Sequence, residues 1–277
     1  MSYCIAIDDG HGMATAGKRT PVLPAGMTGE TGGFMHENEF NRRVAALLKE
    51  QLEAAGLRTM LVAPTDADTP LAARTAAANR ARADLYVSIH ANAIGSDAWN
   101  HTRGIETYHH PSSAEGRRAA TCMHRALVSR TRQTDRGVKT ANFYVLRYTA
   151  MPAVLVECGF MTNVNDAELL LSETYRRTCA EALAAGIRSY FGVAADTDDE
   201  DQPAAAEPAA DHEQARGGDE VQEITIDLID TRLGAKRAIK GLLKDDTAYV
   251  ELRTLAAYLG AGVGWDNAAK RATVVKS

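Results

Sequence analysis

Two histidines and two glutamates stand where apolar runs meet polar turns. The run Tyr3-Cys4-Ile5-Ala6-Ile7 breaks at Asp8-Asp9-Gly10-His11-Gly12, and Leu85-Tyr86-Val87-Ser88-Ile89 delivers His90 ahead of Ala91-Asn92. A third run, Ala153-Val154-Leu155-Val156, delivers Glu157, and Glu37 opens a helical pattern. Open α/β sheets gather ligands at the carboxyl ends of their strands, so residues placed this way can meet. Two imidazoles and a carboxylate are a ligand set for a hydrolytic zinc, which keeps one position for a water whose pKa it lowers to about 7. A second carboxylate can then shuttle protons. Each residue also has a plainer reading. A single His after a strand is commonly a hydrogen-bonded structural residue, and Glu37 can simply complement its helix dipole. Glu157, ending so apolar a run, needs a cation or a proton to offset desolvation. No His-Glu-x-x-His helix occurs, so a metal site would have to be assembled from distant segments, which spacing alone leaves open.

The elements that must position these residues follow from periodicity. Met13 to Gly33, containing Gly, Thr and Pro, reads as a surface loop. Phe40, Val44, Leu47, Leu48, Leu52 and Ala55 mark a helix that Gly56 stops, and 57–62 reads as a strand. A helix over 71–83 carries Arg74, Arg80 and Arg82 on a solvated side. A strand over 104–109 precedes a helix over 114–132 with Ala119, Met123, Ala126 and Leu127 inward. His101, His109, His110 and His124 are further potential ligands, but none ends a buried strand as cleanly, and they read as surface residues. Phe143 to Arg147 and Ala153 to Val156 read as strands, and a helix over 172–191 buries Tyr175, Cys179, Leu183 and Ile187. Strands alternating with helices predict an α/β domain over 1–193, a mostly parallel or mixed sheet flanked by helices. Periodicity stops over 194–220, where Asp, Glu, Ala and Pro read as an acidic disordered linker. Order resumes over 221–277 as a small, mainly β domain. There Ile224, Ile226 and Leu228 alternate, 249–252 reads as a strand, 253–259 as a short helix, and 263–266 with 272–275 as a terminal pair.

Composition narrows the function. The 36 acidic against 31 basic residues leave a net charge of −5, which argues against a general nucleic-acid binder. Cys4, Cys122, Cys158 and Cys179 form no CxxC pair and read as reduced, buried small hydrophobes. No basic segment followed by an apolar one precedes the first strand, and no apolar run approaches ~20 residues, so neither a signal peptide nor a membrane span is expected. The expectation is cytoplasmic synthesis.

Four segments together resemble one family. Ile7-Asp8-Asp9-Gly10-His11-Gly12, Glu37-Asn38-Glu39-Phe40-Asn41, Ser88-Ile89-His90-Ala91-Asn92 and Pro152 to Phe160 look like the signature blocks, in order, of the zinc-dependent N-acetylmuramoyl-L-alanine amidases of the Amidase_3 type. The resemblance implies one Zn2+ on His11, Glu37 and His90, Glu157 as the catalytic carboxylate, and cleavage of peptidoglycan between the lactyl group of N-acetylmuramic acid and L-Ala. Asp9 stands where that family usually has Pro, which adds a carboxylate beside the metal. Asn92, Asn163 and Arg147 are polar neighbours able to touch substrate, although a turn-stabilising Asn and a solvated Arg are equally ordinary. The segment 221–277 resembles, more faintly, the small domain at the amino end of copper amine oxidases, which implies a wall-binding or homo-oligomerising module. Without a leader, the expected enzyme is an endolysin, released to the bacterial wall from the cytoplasm, rather than an exported autolysin. The competing readings are another zinc hydrolase on the same fold, a peptidase or deacetylase, or a non-catalytic wall-binding protein whose structural zinc Glu157 completes.

Overall fold

The opening run forms β1 (Cys4–Asp8), a strand with every residue buried. Its alternation sorts the whole domain: Ile5 and Ile7 face one core, Cys4 and Ala6 the other. The structure, a computed structural model, describes residues 3–95 and 98–193 in full, and beyond them the backbone of 222–230, 235–244, 247–250, 261–266 and 271–276. After β1 come α1 (Glu37–Ala54), β2 (Arg58–Leu61), α2 (Leu71–Ala81), β3 (Leu85–Asn92), β4 (Ile105–His109), α3 (Ala114–Thr131) and β5 (Asp135–Thr140). The remainder is α4 (Tyr144–Arg147), β6 (Ala153–Phe160), α5 (Val164–Leu171) and α6 (Glu173–Phe191).

The sheet runs β2-β1-β3-β6-β4-β5. All its pairings are parallel except β4 with β6, so the sheet is mixed, as expected. On one face Ile5, Ile7, Val87, Ile89, Val154 and Val156 pack with apolar residues of α1, α3 and α6. On the other, Cys4, Ala6, Tyr86, Ala153 and Leu155 meet Ala78 of α2 with Val145 and Leu146 of α4. Side chains alternate along a strand, so Asp8, Ser88, His90 and Glu157 continue this second face toward the carboxyl ends. Register brings them abreast: Asp8 pairs with Ser88 across β1 and β3, His90 with Glu157 across β3 and β6.

Several expectations are corrected. Phe143 to Arg147 is not a strand: 144–147 forms a helical turn, in which adjacent Val145 and Leu146 enter the same core rather than alternating. Five residues are too few for periodicity to decide. Strand β5 escaped notice because Asp-Arg-Gly-Val-Lys-Thr has no apolar alternation and lies on the sheet edge. Helix α5 escaped it too, although Asn163 accepts hydrogen bonds from the Asn165 and Asp166 amides as its N-cap. Glu157 lies within β6 rather than at its end. Cys122 is only partly buried, while the other three cysteines are buried and all four are free thiols.

The chain divides into units 1–202 and 203–277. In the second, β7 (Gln222–Asp230), β8 (Ala235–Lys244) and β9 (Thr247–Val250) form an antiparallel sheet, and β10 (Ala261–Asp266) pairs antiparallel with β11 (Arg271–Lys276). The terminal pair matches expectation, β8 was not anticipated, and the expected linker over 194–220 and helix over 253–259 lie outside the described residues.

Helices α3 and α6 cross at a glycine: a Cβ on Gly186 would lie 2.6 Å from the Met123 Cα. Overpacking of this kind costs about 1–3 kcal/mol. Gly186→Val should lower the urea unfolding midpoint accordingly, with an unchanged m-value.

Candidate metal centre

Beyond β1 the chain turns through Gly10 (φ +36°) and His11 (φ +59°), both in the left-handed region. Such a conformation costs a non-glycine residue about 1–2 kcal/mol unless its surroundings hold it. Here three buried side chains do so. Asn38 Nδ2 donates to the carbonyls of Asp9 (2.8 Å) and Gly10 (2.9 Å), Asn41 Nδ2 to that of Gly10 (3.2 Å), and Arg74 Nη2 to that of His11 (2.7 Å). Gly10 is also required by proximity, because a Cβ there would lie 2.5 Å from Cε1 of His90.

Glu37 is the first residue of α1 and is buried, 3% exposed. Its Oε1 lies 2.8 Å from Nδ1 of His90 and its Oε2 3.4 Å from Nε2 of His11. The ligand-type atoms of His11, Glu37 and His90 all fall within 4.8 Å of one another, which brings together the three residues expected to hold a metal. The two imidazoles meet edge to face with centroids 5.0 Å apart. Burial pushes His11 down to about 4, overcoming the pull of Glu37, so the ring is neutral near pH 7 and its lone pair is available. Burial works to raise Glu37, but its hydrogen bond to His90 and the charges of His90, His11 and Lys18 outweigh it and hold the carboxyl below its ordinary value.

Glu157 sits beside His90 in the sheet, and its Oε2 is buried without a hydrogen-bond partner. Burial, reinforced by Glu37 and moderated by His90, pushes its carboxyl up to about 8. It lines, with His11, His90, Lys18 and the apolar Leu71, Phe143 and Tyr144, a cavity of about 260 Å³. A dication fits this donor set: neutral imidazole nitrogen, carboxylate oxygen, and an unpartnered carboxylate at the cavity wall.

Other expected residues lie elsewhere. Asn92 donates to Glu106 Oε2 (3.0 Å); Asn163 caps α5 and donates to the Asn100 carbonyl (3.0 Å); Arg147 is exposed, its guanidinium 4.5 Å from the Tyr148 ring centroid. None of the three lines the cavity. Asp9 does not stand beside the cluster: it is buried, 3.4 Å from Arg74 Nη1, borders a separate pocket with Arg42 and Asp66, and is pushed up to about 6 by burial and by Asp8. Arg74 is not solvated. It is 1% exposed, while Arg80 and Arg82 are exposed. Six residues at about 100° each separate Arg74 from Arg80 around the helix, so the two never shared a side. His109 and His124 are buried rather than on the surface. His124 is hydrogen-bonded to Thr107 Oγ1 (2.9 Å) and Asp135 Oδ1 (2.8 Å), and neither residue belongs to the metal-type cluster. Asn38, Asn41, Arg74 and Ser88 were missed, although a polar residue inside the apolar run of β3 marked Ser88.

Two imidazoles and a carboxylate brought together at the carboxyl ends of a mixed sheet, with a second, buried carboxyl beside them at a cavity, have the form of a metal-dependent hydrolase site. Residues 5–189 match the N-acetylmuramoyl-L-alanine amidase family, and the chain belongs to it. It is 36% identical over 189 residues to the amidase LytC of Bacillus subtilis, an alignment covering 68% of this chain and 35% of LytC, so the chain spans about a third of that relative's length. It is 34% identical over 159 residues to the endolysin of Bacillus phage SPP1, covering 55% of each. The crystal structure of the N-acetylmuramoyl-L-alanine amidase from Clostridium difficile 630 superposes with a TM-score of 0.60 at 30% identity, covering 69% of this chain and 97% of that one. The protein is thus a cell-wall-degrading hydrolase of the amidase class.

A pH dependence follows from Glu157. The folded, metal-free protein holds the Glu157 proton up to about 8, whereas the unfolded chain releases it near 4.5. The folded state therefore binds more protons above the ranges of His11 and Asp9, and stability falls as pH rises from about 6.5 to about 8.5. His90, drawn upward by Glu37 against burial, adds the same sign. In thermal unfolding of chelator-treated protein, Glu157→Gln should reduce this slope.

Proposed function

We propose that the chain hydrolyses, with zinc, the amide between the lactyl group of N-acetylmuramic acid and the L-Ala of the peptide stem in peptidoglycan. The observation that supports this most directly is the convergence of His11, Glu37 and His90 within 4.8 Å beside the buried carboxylate of Glu157. The described cluster contains three ligand residues and not Glu157, which favours an open, catalytic site over a closed structural one. Bound there by His11, Glu37 and His90, zinc would supply a Lewis acid for the scissile carbonyl, an acidified water, and positive charge that favours ionised Glu157.

The residues of the chain account for the remaining work. Glu157, pushed up toward neutrality by burial, is suited to take a proton from the attacking water and to return it to the leaving nitrogen. The water oxygen bonds to the lactyl carbonyl carbon, the C–N bond breaks, and the products are a lactyl carboxylate and a free L-Ala amine. Leu71, Phe143 and Tyr144 offer apolar walls to the lactyl and alanyl methyl groups.

The substrate is a polymer, and the second unit suits a tethering or oligomerising role that raises local concentration at the wall. Among the described residues no helix is long and apolar enough to cross a membrane. Similarity to the SPP1 endolysin supports lytic use at the bacterial wall.

Digestion of purified peptidoglycan should create new L-Ala amino termini and no new reducing sugar ends, and a chelator should abolish the reaction until zinc is restored. Glu157→Ala should lower kcat by about 10²–10⁴, the usual worth of a general acid–base group; undiminished release of L-Ala termini would refute its role. A chain ending at Val193 should keep its activity on soluble fragments and sediment less with intact walls.

A further inference from the structure

Behind the cluster runs a buried relay of polar groups. Arg74, on α2, places Nη1 2.5 Å from Asp8 Oδ1. The other oxygen of that carboxylate accepts from Tyr86 Oη (2.8 Å) and from Ser88 Oγ (2.7 Å). Ser88 Oγ in turn lies 3.1 Å from Nε2 of His90. Asp8, Arg74, Tyr86 and Ser88 are each no more than 1% exposed, so water does not compete for these bonds.

We infer that Arg74 and Ser88 are positioning residues for the metal centre: through Asp8 and the His11 carbonyl they set the ring orientation and tautomer of His90 and the corner that carries His11. The inference rests on the zinc-ligand reading of His11, Glu37 and His90. Ser88 has one hydroxyl proton, and a carboxylate can only accept, so that proton is committed to Asp8. Ser88 Oγ is left as an acceptor, and Nε2 of His90 must bring the hydrogen. Nδ1, which in the metal-free protein donates to Glu37 Oε1 (2.8 Å), is then the nitrogen left to offer its lone pair once a metal takes the place of that hydrogen. A histidine ligand is ordinarily held this way through its other nitrogen by a carboxylate or carbonyl; here a serine hydroxyl stands between ring and carboxylate.

The same guanidinium serves His11. Its Nη2 donates to the His11 carbonyl and its Nε to that of Thr69, both at 2.7 Å. Three acceptors around one planar fork define an arginine site, which the point charge of a lysine cannot reproduce. The two imidazoles, 79 positions apart in the chain, are thereby referred to one rigid group.

The test is zinc affinity of the full chain, measured by competition with a chromophoric chelator. Ser88→Ala should weaken zinc binding about 10-fold or more, and Arg74→Lys likewise, as loss of such outer contacts does elsewhere. Thr107→Ala serves as a control: this buried partner of His124 lies outside the relay, so the substitution should lower the melting temperature without changing zinc affinity. A second measurement needs no variant: in zinc-loaded wild type, 15N–1H correlation spectra should show the His90 proton on Nε2. Wild-type zinc binding with Ser88→Ala binding as tightly, or a His90 proton on Nδ1, overturns the inference alone. A wild type that binds no zinc overturns the metal-centre reading with it.

Discussion

The Arg74–Asp8 pair is the interaction on which the site depends. A guanidinium and a carboxylate taken almost wholly out of water incur several kcal/mol of desolvation each, and only close geometry with full hydrogen bonding offsets it. Both are nearly saturated here: Asp8 meets Arg74, Tyr86 and Ser88, and Arg74 meets Asp8, Thr69 and His11. A pair of this kind adds little net stability compared with an apolar core, but it ties a helix on one face of the sheet to the end of β1 and the side chains of β3. Removing either partner would leave an uncompensated buried charge.

Beyond that pair the site gathers negative charge. Glu37 meets both imidazoles and Glu157 lies beside His90, the first held below its ordinary value by His90, the second pushed toward neutrality by burial and by Glu37 itself. Two carboxyls whose environments drive their pKa values apart are what division of labour between a ligand and a proton shuttle requires. The unpartnered, buried Glu157 oxygen is costly unless the site has work for it.

Much of this was legible in the order of residues. Continuous apolar runs located β1, β3 and β6, because these strands are buried on both faces, and helical spacing located α1, α3 and α6, because each buries one face against a core. His11, Glu37, His90 and Glu157 were marked by type and by position beside those runs. Short or polar elements were not legible: α4 has too few residues for periodicity, and β5, at the sheet edge, buries too little to carry a pattern. Arg74 was misread because charge on a helix usually means solvent, and nothing local reveals that Asp8 waits 66 positions upstream.

Residue order alone carries the alternation of strands and helices, the turn that follows the opening apolar run, and the identity of the groups able to bind a metal and move a proton. That these groups meet is settled by the folded sheet. Register between parallel strands places His90 opposite Glu157 and Asp8 opposite Ser88, and register depends on contacts between segments far apart in the chain. It also decided that Asn92, Asn163 and Arg147 turn to partners outside the cavity, and that Asp9 borders a separate pocket. Which side chain faces a site follows from what packs behind it, and that is a property of the assembled sheet rather than of any stretch of residues.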